Sequence, residues 1–328
     1  MAPCAKSSPP FAGRLKGFTL LFEALILMLA QQMPFAAVAR IVGESAYRVQ
    51  AVCEKYVALA LEAAGFSTVK ALAIDETSRA RGHDYITLAA DAEARRVLFV
   101  TEGRDAAAIL ELAADLEAHG CPPERIESVS IDMSPAFIQG VTRYLPEAQI
   151  TFDKFHVIAH ASQAVDRMRR IEQRSDPSLK GLRWSLLKDR SRLSAEAAAD
   201  LQGVIARLRT VRTARAWVYK EQLREILARK QINVVRAMLT HWCTCVMRSK
   251  VEPMKAVAAM VRNHLEVIVA WAQTRQTNGF LEAINGLFQA AKRRARGFTR
   301  MSTIRTVIFL IAGKLNFSVV NPHVAQPT

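Results

Sequence analysis

Cysteine is scarce in this chain, and the five cysteines among its 328 residues form no framework. They are odd in number and widely separated, which excludes the disulfide scaffold of small secreted domains and favours a reducing cytoplasm. Cys243 and Cys245 form a lone C-x-C with no second pair beside it. We therefore expect buried thiols there rather than a zinc site.

Long apolar runs are also missing. The most apolar stretch, residues 18–30, is interrupted by Glu23 and is too short to span a bilayer. The residues before it mix prolines with basic residues and lack a signal-peptide layout. With 51% hydrophobic and 23% charged residues, the composition excludes disorder. We expect a soluble protein with no membrane partner.

Acidic residues are in deficit, giving a formal net charge of +15. This excess favours a polyanionic partner, although general solubility is the alternative explanation. The charge is uneven. Residues 71–160 hold 15 acidic and 8 basic residues, and residues 165–250 hold 8 acidic and 20 basic ones. An acidic segment followed by a basic one suits a metal centre beside a surface that holds DNA.

The pattern from residue 18 to residue 64 is helical. Within it, residues 35–52 are typical of a helix-turn-helix, with Gly43 at the turn and Ser45 capping the second helix. Tyr47, Arg48 and Gln50 would then project toward DNA. Plain packing of a helical hairpin remains the alternative.

Short strands begin near residue 70, and four of them end on an aspartate. Strands are predicted at residues 71–75, 85–91, 96–101, 127–132 and 149–153, with helices at 104–118 and 134–145. The order βββαβαβ followed by helices is that of a ribonuclease H-like fold, a mixed sheet flanked by helices. We predict four segments: a helical lead-in with the helix-turn-helix (1–66), the first part of this catalytic core (67–160), a basic all-helical insertion (161–272), and C-terminal helices completing the core (273–328).

Asp75 and Asp132 are the strongest local signal for chemistry, because they end neighbouring strands of the predicted sheet. Carboxylates gathered beyond strand ends can hold hard cations such as Mg²⁺. Two such ions, about 3.5–4 Å apart, assist phosphoryl transfer. Asp153 also ends a strand and is a candidate auxiliary ligand. Aspartates at strand ends equally form turns and helix caps, so the pair alone does not decide the matter.

A polar stripe on the last strong helix adds a third carboxylate. Its members are spaced 4, 3, 4, 3, 4 and therefore share one helical face: Asn278, Glu282, Asn285, Gln289, Lys292 and Arg296. Glu282 is the one acid in the stripe. The arrangement would place it at a metal, with amide and cationic groups along a nucleic-acid backbone. The alternative is the solvated face of an amphipathic helix.

Four sequence blocks, in order, resemble those of the ISL-three-type insertion-sequence transposases. They are residues 74–77 (IDET) with 81–87 (RGHDYIT), 129–137 (VSIDMSPAF), 145–150 (LPEAQI) with 152–157 (FDKFHV), and 277–285 (TNGFLEAIN) followed by Lys292, Arg294, Gly297 and Phe298. The resemblance implies a DDE-type transposase with Asp75, Asp132 and Glu282 as its triad. It also implies Mg²⁺ or Mn²⁺ as cofactor, with two ions, and DNA as partner, both the element's ends and the target.

The same resemblance implies a bacterial cytoplasmic protein associated with the nucleoid, and a homodimer when two element ends are brought together. Members of the family usually carry an N-terminal cysteine-rich zinc-binding module, which we expect this chain to lack. That departure bears on recognition of the element's ends and on activity.

Further DNA contacts are predicted at basic and amide side chains near the carboxylates and in the basic segment. They are Arg79, Arg81, Arg167, Arg169, Arg170, Asn278, Asn285, Lys292, Arg293, Arg294 and Arg296. Two alternatives stay open: a DNA-binding protein derived from a transposase with inert carboxylates, and a nuclease of the same fold that cuts but does not join strands.

Overall fold

A computed structural model describes residues 11–80, 84–189, 193–206, 211–274, 279–295, 297–298 and 300–324. The chain is a mixed α/β protein with a five-stranded mixed sheet and many helices. It divides into two compact units, one comprising Met1–Ala148 with Asn278–Thr328 and the other Gln149–Thr277.

The first unit opens with three helices, α1 (Leu20–Ala30), α2 (Phe35–Val42) and α3 (Ala46–Glu62). Gly43 ends α2 with φ of 72°, a left-handed conformation that glycine adopts without steric cost. The Ser45 hydroxyl accepts a hydrogen bond from the Arg48 backbone nitrogen at 3.3 Å and so caps α3. The predicted helix-turn-helix, with its glycine turn and serine cap, is confirmed.

Glu23, the charge that interrupts the apolar run, is an internal anchor of the first unit. Its carboxylate is fully buried and accepts hydrogen bonds from the backbone nitrogens of Arg14 and Leu15, both at 2.7 Å. It also accepts one from the Tyr56 hydroxyl at 2.6 Å, and burial together with this bond raises the pKa of Tyr56 above its usual range. Glu23 thus ties the lead-in to α3.

The sheet strands of the first unit are β1 (Ala71–Ala80), β2 (Asp84–Asp91), β3 (Arg96–Glu102) and β4 (Ser128–Ile131). They lie in the order β3-β2-β1-β4. The pairs β1–β2 and β2–β3 are antiparallel, whereas β1 and β4 are parallel. Helices α4 (Ala106–Ala118) and α5 (Pro135–Tyr144) come before and after β4. With β5 (Gln149–Phe152), the element order is βββαβαβ, as predicted.

Two C-terminal helices complete the first unit, α13 (Gly279–Arg294) and α14 (Met301–Ala312). Leu281, Ile284 and Phe288 of α13 are buried in the same apolar core as the helix-turn-helix and the inner residues of β1–β3. The core therefore fixes which face of α13 meets the sheet.

In the second unit, β5 is followed by seven α-helices among the residues that the structure covers, and no further strand. They are α6 (Lys154–Glu172), α7 (Arg183–Leu187), α8 (Ala195–Ile205), α9 (Arg212–Ala228), α10 (Ile232–Met247), α11 (Glu252–Asn263) and α12 (Leu265–Thr274). On α10, Cys243 is buried as expected, whereas Cys245 is half-buried. Within the described ranges, no helix has both the length and the apolar character needed to cross a membrane.

Candidate active site

Strand register brings the first two predicted carboxylates to the same level of the sheet. In the parallel pair β1–β4, Ala71 lies opposite Ser128 and Ala73 lies opposite Ser130. Asp75 lies two residues further along β1, and Asp132 lies two residues after Ser130, directly after the end of β4. Asp75 is 8% exposed. Asp132 is half-buried, and its Oδ1 accepts a hydrogen bond from the Ser134 backbone nitrogen at 2.9 Å, in the turn before α5.

The Asp75 carboxylate receives a hydrogen bond at each oxygen. Oδ1 accepts from the Glu76 backbone nitrogen at 2.9 Å, and Oδ2 accepts from the Asn285 amide nitrogen at 2.8 Å. The second bond joins positions 210 residues apart. Because one donor lies on β1 and the other on α13, the orientation of this carboxylate is set by two elements at once.

The polar stripe of α13 lies along β1. After Asn285, Gln289 donates to Thr77 Oγ1 at 3.1 Å and to the Ser78 carbonyl at 2.9 Å. Lys292 donates to the same carbonyl at 3.3 Å. Glu282 lies in the first turn of α13, one turn before Asn285, and its side chain is exposed. The spacing that predicted one shared face is thus matched by contacts of that face with β1.

Glu76 makes different contacts from those of Asp75. Its carboxylate pairs with Arg104 at 3.4 Å, and the Arg104 guanidinium also lies over the Tyr85 ring. Burial raises the pKa of Glu76, and the Asp132 charge raises it further while Arg104 opposes the shift. The alternation expected along β1 is therefore present: Asp75 and Thr77 contact α13, and Glu76 contacts Arg104.

The carboxylate oxygens of Asp75 and Asp132 are ligands of the type that Mg²⁺ and Mn²⁺ prefer. Asn285 Oδ1 is buried and has no hydrogen-bond partner among the described residues. In the part of the chain that the structure covers, no three aspartate, glutamate, histidine or cysteine side chains lie close enough together to hold a metal. Asp153, in the second unit, is fully buried and caps α6 through the Phe155 backbone nitrogen at 2.9 Å.

Several side chains of the first unit that are predicted to contact DNA form ion pairs or hydrogen bonds with other residues of the protein. Arg48 pairs with Glu44 at 3.0 Å and lies over the Phe18 ring, and Gln50 donates to Glu54 and Thr303. Arg79 pairs with Asp84 and Glu102. Tyr47, by contrast, is 71% exposed. Arg293 and Arg294, in the last turn of α13, are exposed as well.

The three arginines predicted to contact DNA from α6 differ in exposure. Arg167 is exposed, and the side chain of Arg170 is 67% exposed although it pairs with Asp166 at 3.1 Å. Arg169 is buried and donates to Asp166 and Gln173. Arg81, Asn278 and Arg296 lie outside the described residues.

Sequence reasoning did not identify Asn285 as the partner of Asp75. The one available signal was its position three residues after Glu282 on the same helical face. That spacing gives the face but not the group it meets, because the contact spans most of the chain.

Two family models match this chain. Residues 72–308 match a model described as transposase, and residues 7–57 match one described as the helix-turn-helix domain of transposase family ISL3. The chain belongs to transposase family ISL3.

Curated relatives of this ISL3-family chain carry transposase names. It is 27% identical over 244 residues to the transposase for insertion sequence element IS1001 of Bordetella parapertussis. That alignment covers 71% of this chain and 58% of the relative. It is 26% identical over 341 residues to the transposase for insertion sequence element IS1557 of Mycobacterium tuberculosis, covering 93% of this chain and 74% of the relative.

Proposed function

We propose that this chain is a DDE transposase that cuts DNA and joins strands at a centre made by Asp75, Asp132 and Glu282. The observation that carries the proposal is the hydrogen bond from Asn285 to Asp75, because it sets the Glu282-bearing face of α13 against the strand of the first aspartate. The β1–β4 register supports the placement of Asp132 beside Asp75.

The fold proposed for the chemistry is a ribonuclease H-like core. It would be formed by residues 67–160 and 273–328 and interrupted by a basic helical insertion at residues 161–272. The βββαβαβ order and the return of α13 to β1 support this division. Residues 1–66 would bind DNA through the helix-turn-helix, with the exposed Tyr47 facing the duplex.

Asp75, Asp132 and Glu282 would hold Mg²⁺ or Mn²⁺, in a pair of ions. Such ions, when bound, activate the attacking oxygen and stabilise the leaving one in phosphoryl transfer. The protein's contribution to the reaction would be to position the three carboxylates. Asp75 is held by two donors and Asp132 by its turn, while the exposed Glu282 must turn toward them.

The DNA would be held through contacts with its charged phosphates rather than with its bases. Exposed cations on α6 (Arg167 and Arg170) and at the end of α13 (Arg293 and Arg294) are suited to phosphate contacts. The substrates would be the ends of an insertion element and a target duplex. Because two ends are handled together, we expect a homodimer in the complex, working in the bacterial cytoplasm at the nucleoid.

The test is an assay of DNA cleavage and strand transfer in Mg²⁺ with element-end substrates. Asp75→Asn, Asp132→Asn and Glu282→Gln should each lower both reactions by at least about 100-fold, since each removes a few kcal/mol of transition-state stabilisation. Glu127→Gln is a matched control, because Glu127 is an exposed carboxylate of the same unit that pairs with Lys70. It should stay within about twofold of the parent.

The two competing functions give different results in the same assay. A DNA-binding protein with inert carboxylates would bind the substrate and cut nothing, in the parent chain as in the variants. A nuclease would cut and yield no joined product. Full activity in Asp132→Asn and Glu282→Gln would refute the triad, and DNA binding measured in parallel would separate loss of chemistry from loss of binding.

A further inference from the structure

We infer that Asn285 is an additional residue of the metal site, and this inference rests on the proposed function. Its amide nitrogen would hold the Asp75 carboxylate, and its carbonyl oxygen would bind the same divalent cation, directly or through one water. The geometry points to this role rather than to the DNA contact expected from the sequence.

The orientation of the Asn285 amide is fixed by its neighbour. An ionised carboxylate accepts hydrogen bonds and donates none, so the group 2.8 Å from Asp75 Oδ2 must be the NH₂ of the amide. Turning the amide over would set two acceptor oxygens against each other. The carbonyl oxygen Oδ1 therefore lies near the Asp75 carboxylate without a hydrogen bond to it.

That carbonyl oxygen is buried and has no hydrogen-bond partner within the described ranges. Buried acceptors in folded proteins are nearly always satisfied, and an exception calls for a missing partner such as water or an ion. An asparagine carbonyl oxygen is a normal ligand for hard divalent cations. Since it neighbours a carboxylate proposed to bind such a cation, the cation is the partner that satisfies both groups.

The next turn of α13 shows what a purely structural contact looks like. The Gln289 amide nitrogen donates to Thr77 Oγ1 and to the Ser78 carbonyl, and neither acceptor is a metal-binding carboxylate. Gln289 thus shares helix, face and strand with Asn285 but does not touch Asp75. It supplies the matched control.

The experiment measures binding of Mn²⁺ alone to the full chain without DNA, from the electron paramagnetic resonance signal of the free ion. Asn285→Ala should weaken Mn²⁺ binding by about 10- to 100-fold, the effect expected when a supporting group of a metal site is removed. Gln289→Ala should stay within about twofold of the parent. Asn285→Asp keeps an oxygen in place and should bind Mn²⁺ more tightly than Asn285→Ala does.

The outcomes separate this inference from the proposed function. If Asp75→Asn weakens Mn²⁺ binding and Asn285→Ala does not, the inference is wrong and the proposed metal site stands. If Asp75→Asn also leaves binding unchanged, both are wrong. Equal weakening in Asn285→Asp and Asn285→Ala would overturn the role of the carbonyl oxygen. If circular dichroism shows that Asn285→Ala does not fold, Asn285→Ser is used in its place.

Discussion

Cys243 and Cys245 show that two identical residues can differ in chemistry within one helical turn. Two positions on a helix correspond to a rotation of about 200°, so their side chains leave α10 on opposite sides. Cys243 is fully buried, its Sγ lies 3.5 Å from the Ala258 carbonyl, and burial raises the pKa of its thiol to about 11. Cys245 is half-buried, with its Sγ 3.3 Å from His241 Nε2.

We expect iodoacetamide at pH 8 to modify Cys245 at least about tenfold faster than Cys243 in the folded protein. The thiolate is the reactive form, and a raised pKa leaves it scarce below that pKa, while burial also blocks access. Peptide mass mapping over time measures both rates. In denaturant the two should react alike. Equal protection of both in the folded protein would contradict the greater accessibility of Cys245.

At the scale of elements, the turn of the helix-turn-helix offers a paired test of backbone conformation. Gly43 has φ of 72° and Gly65 has no positive φ, yet a methyl group at either would meet nothing within 4 Å. The two positions therefore differ in backbone conformation and not in available space.

Gly43→Ala should lower the free energy of unfolding by about 1 kcal/mol, because alanine is strained in the left-handed region. Gly65→Ala should leave it unchanged or raise it by up to about 1 kcal/mol, through a less flexible unfolded chain. Urea unfolding followed by circular dichroism measures both. A stabilising Gly43→Ala would contradict the left-handed turn, and the proposed DNA binding should weaken only in that variant.

These elements also show what sequence can predict and what it cannot. The helix-turn-helix follows from local signals, a glycine turn and a serine cap. The order of strands and helices along the chain follows from apolar runs that end at polar residues. The partners of Gln50 and Asn285 do not follow, since Thr303 and Asp75 lie 253 and 210 residues away. Periodicity gave the polar face of α13, and packing of Leu281, Ile284 and Phe288 decided what that face meets.

At the scale of the whole molecule, the net charge of +15 overstates the cations available to a polyanion. Burial and internal pairing remove some of them: Arg169 is 8% exposed and bonded to Asp166, whereas Arg167 and Arg170 on the same helix are exposed. Because phosphate contacts release counterions, only exposed cations should contribute to the salt dependence of DNA binding.

We therefore expect the double variant Arg167→Ala with Arg170→Ala to make the slope of log K for DNA binding against log salt concentration less steep by about 2. The reason is that each phosphate that the protein no longer neutralises changes this slope by close to one unit. Arg169→Met should leave the slope unchanged while lowering the melting temperature, because it breaks a buried pair with Asp166. Fluorescence anisotropy with a labelled duplex, titrated at several salt concentrations, gives the slopes. If Arg169→Met reduced the slope as much as the double variant does, the exposure of an arginine on α6 would not decide whether it contacts DNA. The basic segment would then bind DNA by breaking ion pairs that are buried in the free protein.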